Sequence, residues 1–198
     1  WRERWAPKLA SNELPINPYR VMGDFMKLDD PADAIVTHDS GNPRDQLVPI
    51  YESVTPRGYL GWGHSSQLGF SLGLAMGAKL VAPEKLVVNF MGDGSIGMVG
   101  MDLETAARAQ IPILTIVLNN GGMSTYPGGY PTARELFGAT EMTNDYAKIA
   151  EGMGAVGITV TSPSEMAPAL KSAMQLNGEG KTVLLDVHSN MESRKSKH

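Results

Sequence analysis

Short, continuous runs of apolar residues alternate along the chain with longer segments whose apolar positions recur at helical spacing. Continuous apolar runs indicate strands that are buried on both faces, as in parallel sheets. Their alternation with helices predicts an α/β fold: a doubly wound, mainly parallel sheet flanked by helices. The predicted strands are 34–37, 85–91, 112–118, 155–160 and 182–187. The predicted helices are 17–28, 44–54, 67–82, 99–110, 145–152 and 164–176.

Polar or glycine-rich segments follow three of these strands, at 38–43, 92–97 and 119–122. In doubly wound sheets, ligands bind outside the carboxyl ends of the strands. The strands 85–91 and 112–118 are joined by a single helix, so their carboxyl ends are expected to lie side by side. A ligand site is therefore expected where these segments meet, whereas 58–66 and 121–138 are predicted to be loops.

Composition narrows the class of protein. Of the 22 glycines in 198 residues, 15 fall between positions 58 and 138, where the backbone must bend sharply or approach something closely. The net charge of −4 argues against a nucleic-acid partner. No apolar run reaches the roughly 18 residues of a membrane span, so no membrane partner is expected. Without cysteine, disulfides and thiol catalysis are excluded, and the cytoplasm is the default location.

The segment 92–97 has two interpretations. Its sequence, GDGSIG, matches G-x-G-x-x-G between a strand and a helix, which suggests a dinucleotide-binding fold. However, Asp93 would then face a bound pyrophosphate, and like charges repel strongly where water is excluded. The acidic residue expected about 20 residues further on is also missing, because the next strand leads into Asn119 and Asn120. A nucleotide- or dinucleotide-binding module without catalysis remains the alternative function.

A divalent cation would explain a carboxylate in a diphosphate site. Mg²⁺ prefers six oxygen ligands and usually combines a few protein ligands with phosphate oxygens and water. Asp93 offers a carboxylate oxygen and Asn120 an amide oxygen, and a glycine after Asn120 can turn a carbonyl toward the metal. The amides of Gly94 and Ser95 would add donors for phosphate.

The sequence GDGS at 92–95, followed 27 residues after Asp93 by the second residue of Asn119-Asn120, resembles the thiamine diphosphate motif. Over about 18–187 the chain is similar to the C-terminal, diphosphate-binding domain of the acetolactate synthase / 2-oxo-acid decarboxylase / 2-hydroxyacyl-CoA lyase superfamily. The resemblance implies thiamine diphosphate and Mg²⁺ as cofactors. It also implies a metal site and diphosphate contacts. The implied metal ligands are Asp93, Asn120 and Gly122, and the implied diphosphate contacts are Gly92, Gly94 and Ser95.

The resemblance extends to residues before this motif. Leu68, 25 residues before Asp93, matches the bulky residue that lies between the two rings of the cofactor and imposes its V-shaped conformation. Ser66 matches a backbone carbonyl that accepts from the 4′-amino group, and Ser40 and Asn42 fall where the family has further diphosphate contacts. Read without the family, Leu68 is a core residue. His64, in the glycine-rich loop, is a candidate acid or base, or simply a polar loop residue.

Two further features lead to predictions, a series of regularly spaced glycines and a tyrosine in the second predicted loop. Gly69, Gly73 and Gly77 recur every four residues on one predicted helix, which indicates close packing against another helix, within the chain or across a subunit interface. Tyr126 stands where some decarboxylases of the family carry a catalytic Glu, so that proton-transfer role is in doubt here.

The family's mechanism needs a Glu that contacts the aminopyrimidine and belongs to a separate pyrimidine-binding domain, and no equivalent is found in this chain. We therefore expect 1–17 to be a linker from a preceding domain, 18–188 to be the diphosphate-binding domain and 189–198 to be a polar tail. The expected partner is a pyrimidine-binding domain or subunit, within a homodimer, homotetramer or hetero-oligomer. The implied reaction makes or breaks a C–C bond next to a carbonyl of a 2-oxo acid or an acyl-CoA such as a 2-hydroxyacyl-CoA. Alone, the chain is expected to be inactive.

Overall fold

Six parallel strands form one sheet at the centre of the fold. A computed structural model of the chain describes residues 2–28, 30–63, 67–123, 130–142 and 144–192. Every paired strand in it is parallel, in the order β2-β1-β3-β4-β6-β5. The predicted α/β fold with a parallel sheet is thus confirmed. The strands are β1 (Ala34–His38), β2 (Tyr59–Leu60), β3 (Leu86–Gly92), β4 (Leu114–Asn119), β5 (Val156–Val160) and β6 (Val183–His188).

Helices cover both faces of the sheet, because successive strand residues point to opposite sides and both sides are apolar. In β3, Val88 and Phe90 belong to the hydrophobic core on one face, and Val87 and Met91 belong to the core on the other. The helices are α1 (Arg2–Leu9), α2 (Pro18–Leu28), α3 (Asn42–Leu47), α4 (Phe70–Val81), α5 (Asp93–Val99), α6 (Asp102–Arg108), α7 (Pro131–Phe137), α8 (Tyr146–Gly152) and α9 (Pro163–Gly178). Among the described residues, no helix has the length and hydrophobicity that a bilayer crossing requires.

Some predicted element boundaries were wrong. The glycine-rich segment 92–97, placed by the sequence between a strand and a helix, is itself mostly the helix α5. The helix predicted over 99–110 is the shorter α6, and Gly100 and Met101 separate the two helices. The chain turns there at Gly100, where a Cβ atom would stand 2.8 Å from the carbonyl oxygen of Ile96. The helix predicted over 44–54 is the shorter α3. Tertiary contacts override local propensity at each of these positions.

The predicted loops at 58–66 and 121–138 contain regular structure. The first holds the two-residue strand β2, and the second holds α7. The helix α7 begins at Pro131 and is followed by Gly138 in the left-handed conformation, with φ of 58°. Proline just inside the start and glycine just past the end mark a helix, so the sequence did contain this signal.

The segment predicted to be a linker packs against the domain. Trp5 of α1 is buried, and its ring centroid lies 4.8 Å from that of Tyr19. Ile16 is also buried and pairs with Ser189, just after β6. Residues 2–17 and 189–192 therefore contact each other and the core, and the domain boundary at residue 18 stays a prediction.

The three regularly spaced glycines of the α4 region differ in their surroundings. Gly69 caps α4 with φ of 91°, and a Cβ atom there would stand 2.6 Å from Val99. A Cβ atom at Gly73 or Gly77 would meet no atom of the described chain within 4 Å. Both lie on the exposed face of α4 with Leu80, whose side chain is 66% exposed. The packing partner predicted for this face is thus not found within the described part of the chain.

We expect Gly73→Ala and Gly77→Ala each to raise the free energy of unfolding of the isolated chain, by up to about 1 kcal/mol, because alanine has the higher helix propensity. Urea unfolding followed by circular dichroism measures the change. Gly69→Ala is the matched control and should destabilise the chain, because its backbone is left-handed and Val99 leaves no room for a methyl group. Destabilisation by the first two substitutions would show that these glycines are needed for the fold itself.

Candidate functional site

The carboxyl ends of β1, β3 and β4 meet at a small cleft. It has a cavity volume of about 70 Å³ and is open to solvent. Every site residue predicted from the sequence that the structure describes lines this cleft. They are Ser40, Asn42, Leu68, Gly92, Asp93, Gly94, Ser95, Asn120 and Gly122. The predictions for His64, Ser66 and Tyr126 fall outside the described residues.

The two predicted side-chain ligands of the metal converge on one backbone amide. Asp93 follows β3, and Asn120 follows the neighbouring strand β4. The amide of Gly122 donates to Oδ2 of Asp93 at 3.0 Å and to Oδ1 of Asn120 at 3.1 Å. The amide of Gly94 donates to the other Asp93 oxygen at 2.8 Å. A carboxylate oxygen and an amide oxygen are thereby brought together at the edge of the sheet.

The backbone around Gly122 is held from the opposite side of the loop. The amide of Met123 donates to the carbonyl of Thr140 at 2.9 Å, and that of Met142 donates to the carbonyl of Gly121 at 3.0 Å. Gly122 itself is buried, and a Cβ atom there would collide with the Met191 side chain. The Met191 side chain is flexible and could move, so the stricter requirement for glycine lies at Gly121, whose φ of 72° is in the left-handed region.

The electrostatics of Asp93 suit a bound cation. The side chain is buried, and burial raises the pKa of its carboxyl group above the usual range, although hydrogen bonds from the nearby amides act in the opposite direction. A buried carboxylate is unfavourable unless opposite charge is present. Within the described ranges, no cluster of three His, Cys, Asp or Glu side chains could hold a metal alone. The all-oxygen pair of Asp93 and Asn120 therefore fits Mg²⁺ that takes its other ligands from phosphate and water.

The Asp39 carboxylate is buried next to the cleft and accepts hydrogen bonds from three of the segments that form it. Asp39 immediately precedes Ser40, a predicted diphosphate contact, but its own carboxylate is fully buried and points into the protein. Its two oxygens accept from five donors on four residues. These are the Ser40 amide (2.8 Å), the Gly69 amide (3.0 Å), the Ser71 amide (3.2 Å), the Ser71 hydroxyl (2.6 Å) and the Ser95 hydroxyl (2.7 Å).

These contacts position Leu68 relative to the glycine turn. Asp39 accepts from the amides at the start of α4, as a capping residue does, although it lies 30 residues earlier in the chain. Leu68 immediately precedes this cap and is 37% exposed toward the cleft. Since the Ser95 hydroxyl donates to the same carboxylate, the distance between Leu68 and the start of α5 depends on Asp39. With the Ser95 hydroxyl engaged by Asp39, the backbone amide is the Ser95 group that stays predicted to contact the diphosphate.

His38 is buried beside the cleft, at the end of β1. Its ring stacks on Tyr59, with centroids 5.4 Å apart, and meets Phe70 edge-on. Burial lowers the pKa of His38 below its usual range, and the charge of Arg44 acts in the same direction. The Asp39 carbonyl, 3.0 Å from Nδ1, acts in the opposite direction. The lowered pKa favours the neutral form of His38 in the fold, where the ring packs as part of this aromatic cluster.

A larger cavity, of about 420 Å³, lies at the opposite end of the strands. It is lined mainly by apolar residues of β1 and α4, such as Ile35 and Val81, with Arg57 and Lys85 among them. Ligand sites in doubly wound sheets lie at the carboxyl ends of the strands, where the polar residues converge. We therefore assign the site to the smaller cleft.

Asp39→Ala should lower the free energy of unfolding by about 3 kcal/mol or more, because it leaves several buried donors without an acceptor. Chemical denaturation of the purified chain measures this loss. Ser95→Ala is the matched control: it removes one of the five donors and should cost about 1 kcal/mol. A stability for Asp39→Ala close to that of Ser95→Ala would show that the carboxylate does not hold the cleft together.

His38 should make the fold less stable in mild acid. Since its pKa is lowered in the folded state, the unfolded chain takes up the proton first, and stability falls as the pH drops below the unfolded pKa. This loss begins as the pH falls through the unfolded pKa of the histidine and levels off once the pH is below its lowered pKa in the folded state. His38→Asn should remove that part of the pH dependence in urea unfolding. Phe70→Leu, which alters the same cluster without a titrating group, should leave the pH dependence unchanged.

Known proteins are similar in sequence to this chain over most of its length. Residues 39–187 match the family model described as the thiamine pyrophosphate enzyme, C-terminal TPP binding domain; thiamine pyrophosphate is another name for thiamine diphosphate. The chain is 30% identical over 190 residues to the acetolactate synthase isozyme 3 large subunit of Escherichia coli, covering 94% of this chain and 33% of that protein. It is 31% identical over 191 residues to the acetolactate synthase large subunit of Haemophilus influenzae, covering 95% of this chain and 33% of that protein.

A third relative carries a different name. The chain is 27% identical over 204 residues to the 2-hydroxyacyl-CoA lyase of Oryza sativa, covering 96% of this chain and 35% of that protein. The chain thus spans about a third of the length of these relatives. The family match includes Leu68, Asp93 and Asn120, which line one cleft, and Asp39, which is buried next to it. The chain belongs to the thiamine pyrophosphate enzymes, as their C-terminal TPP-binding domain.

Proposed function

We propose that this chain binds the diphosphate of thiamine diphosphate through Mg²⁺, in an enzyme that makes or breaks a C–C bond next to a carbonyl. One observation carries the proposal: oxygens of Asp93 and Asn120 converge on the Gly122 amide, in the cleft that Leu68 also lines. The metal ligands would be Asp93, Asn120 and the backbone of Gly122. Each comes from a segment at the carboxyl ends of β3 and β4.

The residues of the cleft would bind and orient the cofactor. Thiamine diphosphate, when bound, supplies the electron sink for a carbanion formed next to a carbonyl. Asp93 contributes the negative charge that the metal needs. The proposed position of the diphosphate is lined by Ser40, Asn42 and the backbone of residues 92–95. Leu68 is the apolar side chain on which the two rings of the cofactor would rest, at a position fixed through Asp39.

The substrate is proposed to be a 2-oxo acid or a 2-hydroxyacyl-CoA. This proposal is supported by the names of the relatives, since both acetolactate synthases and a 2-hydroxyacyl-CoA lyase match nearly the whole chain. The described cleft contains only the part of the site that faces the metal and diphosphate. The reaction is accordingly proposed as that of a carboligase of the acetolactate synthase type, or of a lyase or decarboxylase.

The cleft requires a second protein surface to enclose the cofactor. Its volume of about 70 Å³ is well below the roughly 300–1,000 Å³ of sites that bury a whole organic ligand. We propose that a pyrimidine-binding domain or subunit, carrying the activating Glu, completes the site in an oligomer. The outer face of α4, the helix that begins shortly after Leu68, supports this, because Gly73, Gly77 and Leu80 are exposed on it and a Cβ atom at either glycine would meet nothing in the described chain. The relatives are about three times as long as the chain, which leaves room for such a domain.

Asp93→Ala tests the metal site. We expect the unmodified chain to bind thiamine diphosphate only when Mg²⁺ is present. The substitution should weaken this binding about 100-fold or more, because the metal loses its charged protein ligand. Isothermal titration calorimetry with and without Mg²⁺ measures both effects. Asp102→Ala is the matched control, since Asp102 is an exposed carboxylate in the first turn of α6 that does not line the cleft.

Two results would contradict the proposal. Retained Mg²⁺-dependent affinity in Asp93→Ala would show that the metal lies elsewhere. Binding of NAD without metal, in place of thiamine diphosphate, would favour the alternative, a nucleotide- or dinucleotide-binding module without catalysis.

A further inference from the structure

We propose that Asp186 is a positioning residue that holds both metal-ligand segments of the cleft in register. It lies in β6, outside the cleft, and nothing in the sequence motif marks it. This inference rests on the proposed function, because it concerns the ligands Asp93 and Asn120. One buried carboxylate is connected to both ligands, and each connection starts from a different carboxylate oxygen.

The first connection leads to Asn120. The strand β6 lies beside β4, and the Asp186 side chain is fully buried. Its Oδ1 accepts from the side-chain amide of Asn119 at 2.9 Å. That amide also lies 3.3 Å from the carbonyl oxygen of Asn144. Because Asn119 is the residue before Asn120, fixing its side chain fixes the backbone from which the proposed ligand projects.

The second connection leads to Asp93 through Tyr146. Oδ2 of Asp186 accepts from the backbone amide of Tyr146 at 2.9 Å, at the start of α8. The Tyr146 hydroxyl then donates to the main-chain carbonyl of Asp93 at 3.0 Å. Tyr146 is almost fully buried, so this contact has no competition from bulk water. The tyrosine thus acts as a rigid spacer between Asp186 and the start of α5.

A carboxylate suits this role because both of its oxygens accept. Asp186→Asn would replace one acceptor by a donor, and that donor would face either the Asn119 amide or the Tyr146 amide. Among the described residues, the basic side chain within ion-pair distance of the group is that of His188, whose Nε2 stands 4.0 Å from Oδ2, beyond hydrogen-bond distance. A buried carboxylate held in this way by neutral donors is retained for geometry more readily than for stability. Residues that orient metal ligands in this indirect way typically change metal affinity by about 10–100-fold when they are replaced.

The test measures Mn²⁺ binding to the full chain in the presence of thiamine diphosphate, by electron paramagnetic resonance of free and bound Mn²⁺. We expect Asp186→Asn to weaken Mn²⁺ binding by about 10-fold or more, and Tyr146→Phe to weaken it by a smaller factor. The double variant should be only slightly worse than Asp186→Asn alone, because the tyrosine acts through the same carboxylate. The signal of bound Mn²⁺ should broaden in the variants as the ligands become misaligned.

Asn177→Ala is the control for a purely structural effect. Asn177 is a buried amide that donates to the Lys181 carbonyl near the end of α9, away from the cleft. It should lower the urea midpoint of unfolding while leaving Mn²⁺ affinity unchanged. If Asp186→Asn binds Mn²⁺ within about twofold of the unmodified chain, or only as weakly as an equally destabilised Asn177→Ala, the proposal is wrong.

Failure of the proposed function would look different. In that case the unmodified chain would bind no Mn²⁺ with thiamine diphosphate, and the amide resonances of Gly94 and Gly122 in the metal-free protein would decide the inference instead. These amides contact the Asp93 side chain. Both resonances should shift in Asp186→Asn and in Tyr146→Phe but not in Asn177→Ala. Unchanged resonances in the first two variants would overturn the role of Asp186.

Discussion

The Asp39 carboxylate is the contact on which the arrangement of the cleft depends. It lies at the carboxyl end of β1 and accepts hydrogen bonds from the start of α4 and from Ser95 in α5. No cation pairs with it among the described residues. Its negative charge is instead distributed over amide and hydroxyl donors, which is the condition under which a buried charge can be tolerated. Three segments distant in sequence are thereby held at one point of the sheet edge.

Two carboxylates at this edge therefore have different chemistry. Asp39 is saturated with donors, whereas Asp93 receives amides on one side and faces the cleft on the other. Burial raises the pKa of Asp93, so its ionised form gains from a bound cation. Asp39 thus stabilises the arrangement of the cleft, whereas Asp93 remains available to a ligand. The small volume of the cleft and the exposed glycines of α4 both fit a domain that forms one side of a larger site.

The sequence was sufficient for five of the six described strands, all except the two-residue β2, and for the proposed metal ligands. Buried parallel strands are apolar on both faces, so their positions could be identified without knowledge of the fold. Asp93 and Asn120 follow two such strands, and their spacing is part of a short local motif. Helix ends were less predictable, because α5 begins within a glycine-rich segment and only Gly100 and Met101 separate it from α6. The role of Asp186 could not be predicted, since Asn119 and Tyr146 are distant from it in sequence.

By itself, the sequence determined the class of fold, the family and the two side chains proposed to hold the metal. These follow from hydrophobic patterning and from a local motif, both of which act over short stretches of chain. Only the tertiary structure decided that Asp39 points inward and that the Ser95 hydroxyl donates to it. It also decided that a Cβ atom at Gly73 or Gly77 would meet nothing in the described chain. The direction of a side chain at a strand end depends on which donors the neighbouring elements bring to it. Apart from the adjacent Ser40 amide, those donors come from residues 30 to 56 positions away from Asp39, and a sequence pattern does not contain that information.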